Sequence, residues 1–188
     1  MTVLDGLLIL IGLIVVIVCA MDGILRAVGM LVSFYMITTA AGLLTLATEA
    51  LRGIAVALVG VVGGSVPGLL MTQTIVFVAL TAPLFIGSYF IGKVILRETN
   101  LPKLGVFDNI FGAFAGIILA LLIMALIYNT WGVAVSMSWW NAKVWHSMRI
   151  AYTGSFLRPY MRETLLTFRP MYFLFRSIDY PPFFMLQA

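Results

Sequence analysis

The stretch DNIFGAFAGIILALLIMALIYNTW, residues 108–131, carries no charged side chain after its first residue. An α-helix rises about 1.5 Å per residue, so roughly 20 apolar residues cross a hydrocarbon core about 30 Å thick. The stretch is therefore long enough to span a membrane. Apolar segments precede it along the chain, and we predict four transmembrane spans at residues 4–21, 27–48, 73–95 and 106–131.

The overall composition supports the same class of protein. Hydrophobic residues make up 63% of the chain and charged residues 10%, whereas soluble proteins average about 45–50% and about 25%. Residues 1–132 balance five basic against five acidic side chains, and residues 133–188 carry six basic against two acidic ones, which accounts for the net charge of +4. We therefore predict an all-α integral membrane protein, with a transmembrane domain over 1–132 and a basic, aromatic tail over 133–188.

Two features complicate the predicted spans. Residues 54–71 are apolar, but a run rich in glycine with Pro67 breaks any helix there. This segment is predicted to be re-entrant or surface-lying rather than a fifth crossing. Pro83 is predicted to kink the third span. No Lys or Arg precedes Arg26, so the first span lacks the positive start of a cleavable signal peptide and is expected to remain in the protein.

Three spans begin beside an aspartate, namely Asp5, Asp22 or Asp108. An aspartate at a helix start accepts hydrogen bonds from free backbone N–H groups and favours the positive end of the helix dipole. We therefore predict that these residues cap helices. Asp22 and Arg26 are four residues apart, a spacing that predicts an ion pair across one helical turn.

The fourth span carries a strip of small residues, because Gly112, Gly116 and Ala120 recur at four-residue intervals. On a helix they share one face, which lets another helix approach closely in a lipid environment. The strip predicts a helix-packing surface.

Several positions along the chain also form a pattern of characteristic spacing. They are Asp5, Gly23, Arg26, Asp108, Gly112 and Gly116, followed after the last span by Ser155, Leu157 and Pro159. The pattern resembles that of the bacterial colicin V production protein family. The resemblance implies a four-span inner-membrane protein, involved in colicin V production or export and without established enzymatic activity.

The chain departs from that family pattern at three positions. Asp22 stands where the family has an arginine before the first loop glycine, and Ala27 stands where an acidic residue follows the loop arginine. Leu119 replaces an arginine late in the fourth span. For topology, basic residues near the span ends divide almost evenly between the two sides. The resemblance favours a cytoplasmic position for the loops around Arg26 and Lys93, whereas the basic tail favours the opposite orientation.

The tail is predicted to lie at the membrane surface as short helices separated by prolines. Its anchoring residues are predicted to be Trp139, Trp140 and Trp145, together with Arg162, Arg169 and Arg176. Tryptophan is enriched at membrane interfaces, and arginine is attracted to lipid phosphates. The alternative is that these side chains dock on a partner protein, because Trp and Arg also dominate protein interfaces.

His146 is the single histidine. With Ala142 four residues before it, it resembles the histidine arrangement by which light-harvesting polypeptides hold bacteriochlorophyll, although an interfacial histidine is the ordinary explanation. No second histidine or nearby carboxylate completes a metal site. No set of residues indicates catalysis, and we predict no cofactor, no metal, no enzymatic activity and no nucleic-acid partner.

Three classes of function remain open. The first is a family-type protein of the bacterial inner membrane that supports secretion or envelope homeostasis. The second is an accessory subunit of a larger respiratory or photosynthetic membrane complex, and the third is a small-solute channel or carrier. The absence of charged residues at mid-depth in the spans disfavours a pump. The expected partners are membrane lipids and either other membrane subunits or further copies of the chain.

Overall fold

The computed structural model describes residues 2–46, 69–95, 106–136 and 142–168, together with Phe184, and the regular structure of these residues is helical. The helices are α1 (Val3–Leu46), α2 (Leu69–Ile95), α3 (Val106–Val135), α4 (Ala142–Thr153) and α5 (Arg158–Phe168). Helices α1, α2 and α3 are each long and apolar enough to cross a membrane. The prediction of an all-α protein is therefore confirmed for the described residues, with three helices that are candidates for spanning a membrane.

Helix α1 contains the first predicted span and residues 27–46 of the second. Its 44 residues correspond to about 66 Å of helix, roughly twice the thickness of a hydrocarbon core. Gly23 interrupts it with φ 79° and ψ 173°, a backbone conformation that L side chains rarely adopt. The sequence predicted two spans separated by residues 22–26, and the structure has a break between two helices within that range, although only Gly23 leaves the helical conformation. We call residues 3–22 the first segment of α1 and residues 24–46 the second segment.

Helix α3 packs against the first segment of α1 along its strip of small residues. The two are antiparallel, because partner numbers in α1 fall as those in α3 rise. Three pairs of residues define this contact: Gly112 with Cys19, Gly116 with Val16, and Gly12 with Met124. In each pair, a Cβ atom built on the glycine would lie within 3.2 Å of an atom of the other residue. The helix backbones approach closely because these positions carry no side chain.

The second segment of α1 packs against α2 and also against α3. The Phe34 and Phe85 rings meet edge to face at a centroid separation of 5.3 Å, and the Gln73 side chain donates a hydrogen bond to the Thr45 carbonyl oxygen at 3.4 Å. Phe34 and Ala41 belong to the same buried core as residues far along α3. These α3 residues are Leu119, Leu122, Ile123, Leu126 and Val133.

The outer faces of the three long helices are apolar. Leu10 of α1, Phe90 of α2 and Phe114 of α3 are each more than half exposed. Soluble monomers rarely expose large continuous apolar surface. The exposed side chains are therefore suited to contact lipid tails.

Helix α4 follows α3, and α5 follows α4 after a short turn, so the described part of the predicted tail contains two short helices. Helix α3 ends at Val135, four residues beyond the predicted end of the fourth span. Pro83 lies inside α2, and the kink remains a prediction. Of the predicted re-entrant segment, residues 54–68 lie outside the described residues, and the remainder begins α2.

Candidate functional site

Asp5 in the first turn of α1 is fully buried. The Thr2 backbone N–H donates to its Oδ2 at 2.7 Å, the Thr2 hydroxyl donates to the same oxygen at 3.0 Å, and the Asp5 N–H donates to Thr2 Oγ1 at 3.3 Å. This reciprocal arrangement is a capping box, which satisfies N–H groups that the first turn of a helix leaves free. Asp5 thus caps its own helix, as the sequence predicted.

The same carboxylate also holds the turn between α4 and α5. The Ser155 hydroxyl donates to Oδ1 of Asp5 at 2.5 Å. The backbone N–H groups of Phe156 and Leu157 donate to the carboxylate at 3.2 and 3.3 Å. A carboxylate has about four lone-pair sites, so these donors and Thr2 occupy Asp5 fully. We call Thr2, Asp5 and residues 155–157 the Asp5 clasp.

An apolar cluster packs against Leu157 of the Asp5 clasp. It consists of Leu4, Leu8, Met124, Ala125, Tyr128 and Met161, from α1, α3 and α5. The Tyr128 ring stacks on that of Tyr152 at a centroid separation of 4.8 Å. Charge-assisted hydrogen bonds are stronger where water is excluded. The cluster therefore strengthens the link between the first turn of the chain and residues about 150 positions later.

Two indole groups attach α4 to the end of α3. The Trp131 Nε1–H donates to the Met148 carbonyl oxygen at 3.2 Å, and the Trp145 Nε1–H donates to the Val135 carbonyl oxygen at 3.1 Å. The Arg149 guanidinium lies 5.1 Å from the centroid of the Trp145 ring. Trp145, predicted as a membrane anchor, thus fixes the junction of α3 and α4.

Asp108 in the first turn of α3 is also buried. Its Oδ1 accepts a hydrogen bond from the backbone N–H of Ile24 at 2.9 Å. Ile24 opens the second segment of α1, so Asp108 caps a helical segment that belongs to another element. The sequence assigned Asp108 to the start of its own helix, and the structure adds this partner in α1.

Close packing surrounds this second aspartate. A Cβ atom on Gly23 would lie 2.5 Å from Oδ2 of Asp108, and one on Gly112 would lie 2.5 Å from the Cys19 carbonyl oxygen. Both distances are shorter than real Cβ contacts, so glycine is required at both positions. We call Gly23, Ile24, Asp108 and Gly112 the Asp108 clasp.

The two clasps lie at opposite ends of the first segment of α1. Asp5 and Gly23 are eighteen residues apart in sequence, about 27 Å along a helix, which is close to the thickness of a hydrocarbon core. Each carboxylate holds backbone N–H groups of a distant part of the chain. The arrangement is suited to fixing helices at the two edges of a membrane-spanning bundle.

Other residues singled out from the sequence have different surroundings. Asp22 and Arg26 form the expected ion pair, with 3.1 Å between Oδ1 and Nη1. His146 is exposed on α4 and Arg162 is exposed on α5, whereas Trp139, Trp140, Arg169 and Arg176 lie outside the described residues. Within the described ranges, no three His, Cys, Asp or Glu side chains come together as a metal site.

Most positions of the pattern that resembles the colicin V production family meet in the clasps. Asp5, Ser155 and Leu157 form one of them, and Gly23, Asp108 and Gly112 the other. The remaining positions lie elsewhere: Gly116 packs on the first segment of α1, Arg26 pairs with Asp22, and Pro159 opens α5. Comparison of the chain with protein-family models, curated proteins and solved structures finds no match.

Proposed function

We propose that this chain is a non-enzymatic protein of the bacterial inner membrane that supports secretion or envelope homeostasis, in the manner of the colicin V production family. One observation carries the proposal. Positions far apart in the sequence, which together resemble that family, meet in the two clasps. The resemblance therefore concerns the way in which the helices are joined, as well as the residue types at these positions.

The proposal includes four membrane crossings, with α1 crossing twice and reversing at Gly23. Helix α3 starts beside Gly23 and runs antiparallel to the first segment of α1. Phe34 and Ala41 of the second segment share a core with Leu126, which lies far along α3. A straight α1 would carry Ala41 away from that core, whereas a reversal at Gly23 returns it there.

The hydrogen bonds of the buried carboxylates of Asp5 and Asp108 support a structural role. Asp5 accepts five hydrogen bonds from Thr2 and residues 155–157. Asp108 accepts one from Ile24 beside two tightly packed glycines. A general acid or base must reach a substrate proton, and oxygens that are already engaged in joining helices are poorly suited to that task.

Expression of the chain in a bacterium that lacks its own colicin V production protein tests this function. We expect it to restore colicin V secretion and growth under envelope stress. The Asp5→Ala variant should fail to do so, whereas Lys143→Gln, at an exposed position of α4, should restore both. Wild-type protein that inserts into the membrane and restores neither activity would refute the proposal.

A second candidate function is an accessory subunit of a larger membrane complex. One observation favours it: in the described part of the chain, none of the residues of α4 is buried, although Val144 and Ile150 offer apolar surface. Purification from the native source in a mild detergent separates the two candidates. Stoichiometric companion proteins would favour the subunit, and a homo-oligomer alone would favour the family-type function.

A further inference from the structure

A cavity of about 100 Å³ lies between the second segment of α1 and the last turns of α2. Its polar lining consists of Asp22, Arg26, Ser33, Ser88, Tyr89 and Lys93. Asp22 adjoins Gly23 of the Asp108 clasp in sequence, so the cavity lies at the same end of the first segment as that clasp. Both signs of charge face a space large enough for a group of several atoms.

The acidic side of the cavity has an unsatisfied acceptor. Oδ1 of Asp22 pairs with Arg26 at 3.1 Å, and the Asp22 side chain is only 12% exposed. Oδ2 is buried and has no hydrogen-bond partner among the described residues. A buried acceptor without a donor is unfavourable, and such groups in native proteins usually have a partner. Asp22 also lines the cavity, so its carboxylate is suited to attract a cationic group of a ligand.

The basic side of the cavity is suited to an anion. The Lys93 ammonium lies 5.7 Å from the centroid of the Tyr89 ring. An ammonium offers three donors and attracts phosphate as a point charge. Arg26, which pairs with Asp22, adds a second positive charge to the lining. A ligand that carries a phosphate beside an ammonium would match both sides.

The neighbours of the lining residues indicate where such a ligand comes from. Met21 precedes Asp22 and is 76% exposed, and Val94 follows Lys93 and is 75% exposed. Phe90, next to Tyr89, is 60% exposed. These apolar side chains would contact acyl chains in a membrane, so the cavity lies where lipid headgroups meet the hydrocarbon core.

We propose that this cavity binds the headgroup of an aminophospholipid such as phosphatidylethanolamine. The ammonium of the lipid pairs with the Asp22 carboxylate, and its phosphate is held by the positive charge of Lys93 and Arg26. Phosphatidylcholine has the same phosphate but no N–H donor, and phosphatidylglycerol has no cation. The site therefore distinguishes lipids by the group beyond the phosphate. This inference goes beyond the proposed function and does not depend on it.

Native mass spectrometry of the full chain, released from bilayers containing equal amounts of the three lipids, tests the proposal. We expect phosphatidylethanolamine to be retained roughly tenfold over phosphatidylcholine, as one hydrogen bond to a charged group allows. Asp22→Asn should remove most of that preference, and Asp22→Glu should keep it. Lys93→Gln should weaken retention of all three lipids, whereas Lys143→Gln on α4 should change nothing.

Controls separate this outcome from misfolding and from a soluble ligand. Thermal unfolding in detergent establishes that each variant is folded, and Lys93→Gln alters an exposed residue, so it is expected to fold. Soluble phosphoethanolamine shares the headgroup chemistry. If it displaced the lipid at low concentration, the natural ligand would be a soluble phosphate compound and the lipid assignment would be overturned. Equal retention of phosphatidylethanolamine and phosphatidylcholine by the wild type would also overturn it.

Discussion

The two buried aspartates at the ends of the first segment of α1 hold the chain by different physical means. Asp5 accepts hydrogen bonds from side chains and backbone, including Ser155 and Leu157. Asp108 accepts from one backbone N–H of α1 and lies where a Cβ atom on Gly23 would overlap it. The Asp5 clasp thus depends on the number of donors, whereas the Asp108 clasp depends on the space around it. The same residue type at two helix starts therefore responds to different mutations.

The largest expected effect concerns the side of the membrane on which each clasp lies. In a Cys19→Ser background, cysteines at Thr153, near the Asp5 clasp, and at Val106, near the Asp108 clasp, should react with an impermeant thiol reagent from opposite sides. Both positions are exposed, and the clasps are separated by about one hydrocarbon thickness. Reaction of both cysteines from the same side would show that the two clasps do not lie at opposite edges of the membrane.

The next largest effect is expected for the hydrogen-bonded clasp. Asp5→Ala leaves three donors without their acceptor, namely the buried Ser155 hydroxyl and the partly buried N–H groups of Phe156 and Leu157. A buried donor left unsatisfied costs about 1–3 kcal/mol, and the losses at the three donors combine. We expect a large fall in the unfolding temperature in detergent and in the monodisperse fraction. Glu163→Gln, which neutralises an exposed acid on α5, should behave as wild type; equal loss in both variants would contradict a specific role for Asp5.

A smaller effect is expected for the closely packed clasp. Gly112→Ala adds a Cβ atom that would lie 2.5 Å from the Cys19 carbonyl oxygen, and overpacking of this kind costs about 1–3 kcal/mol. The matched control is Gly6→Ala, because a Cβ atom there meets nothing within 4 Å. Thermal unfolding should separate the two variants. If they were equally stable, the helices would have to separate at no cost, and the steric account of this clasp would be wrong.

The smallest effect is expected for the local ion pair beside the Asp108 clasp. Arg26→Gln removes the salt bridge to Asp22, in which the Arg26 and Asp22 side chains are 17% and 12% exposed. Ion pairs between residues four apart contribute about 0.2–0.5 kcal/mol, and Gln keeps an N–H donor for the Asp22 carboxylate. We expect a shift in unfolding temperature below that of Gly112→Ala. A larger shift would mean that Arg26 supports the Asp108 clasp. Arg26 would then have to be counted among the residues of that clasp.

The comparison also separates what local sequence predicts from what it does not. Helix content and apolar spans follow from hydropathy over about 20 residues, and the Asp22–Arg26 pair follows from a spacing of four. The partner of Asp5 at Ser155 has no such signal, since no periodicity links positions 150 residues apart. Asp5 and Ser155 both belong to the pattern that resembles the colicin V production family. This was the one feature of the sequence that linked the two residues.

The amino-acid sequence by itself determined that this chain is helical and apolar enough for a membrane, because these properties are sums over neighbouring residues. It also placed Asp5 and Asp108 at helix starts and small residues on one face of α3. Only the tertiary structure decided that Asp108 caps Ile24, that Asp5 holds the turn before α5, and that Oδ2 of Asp22 faces no donor among the described residues. The physical reason is that a hydrogen bond depends on the position and direction of two groups. For distant groups, these are set by how whole helices pack.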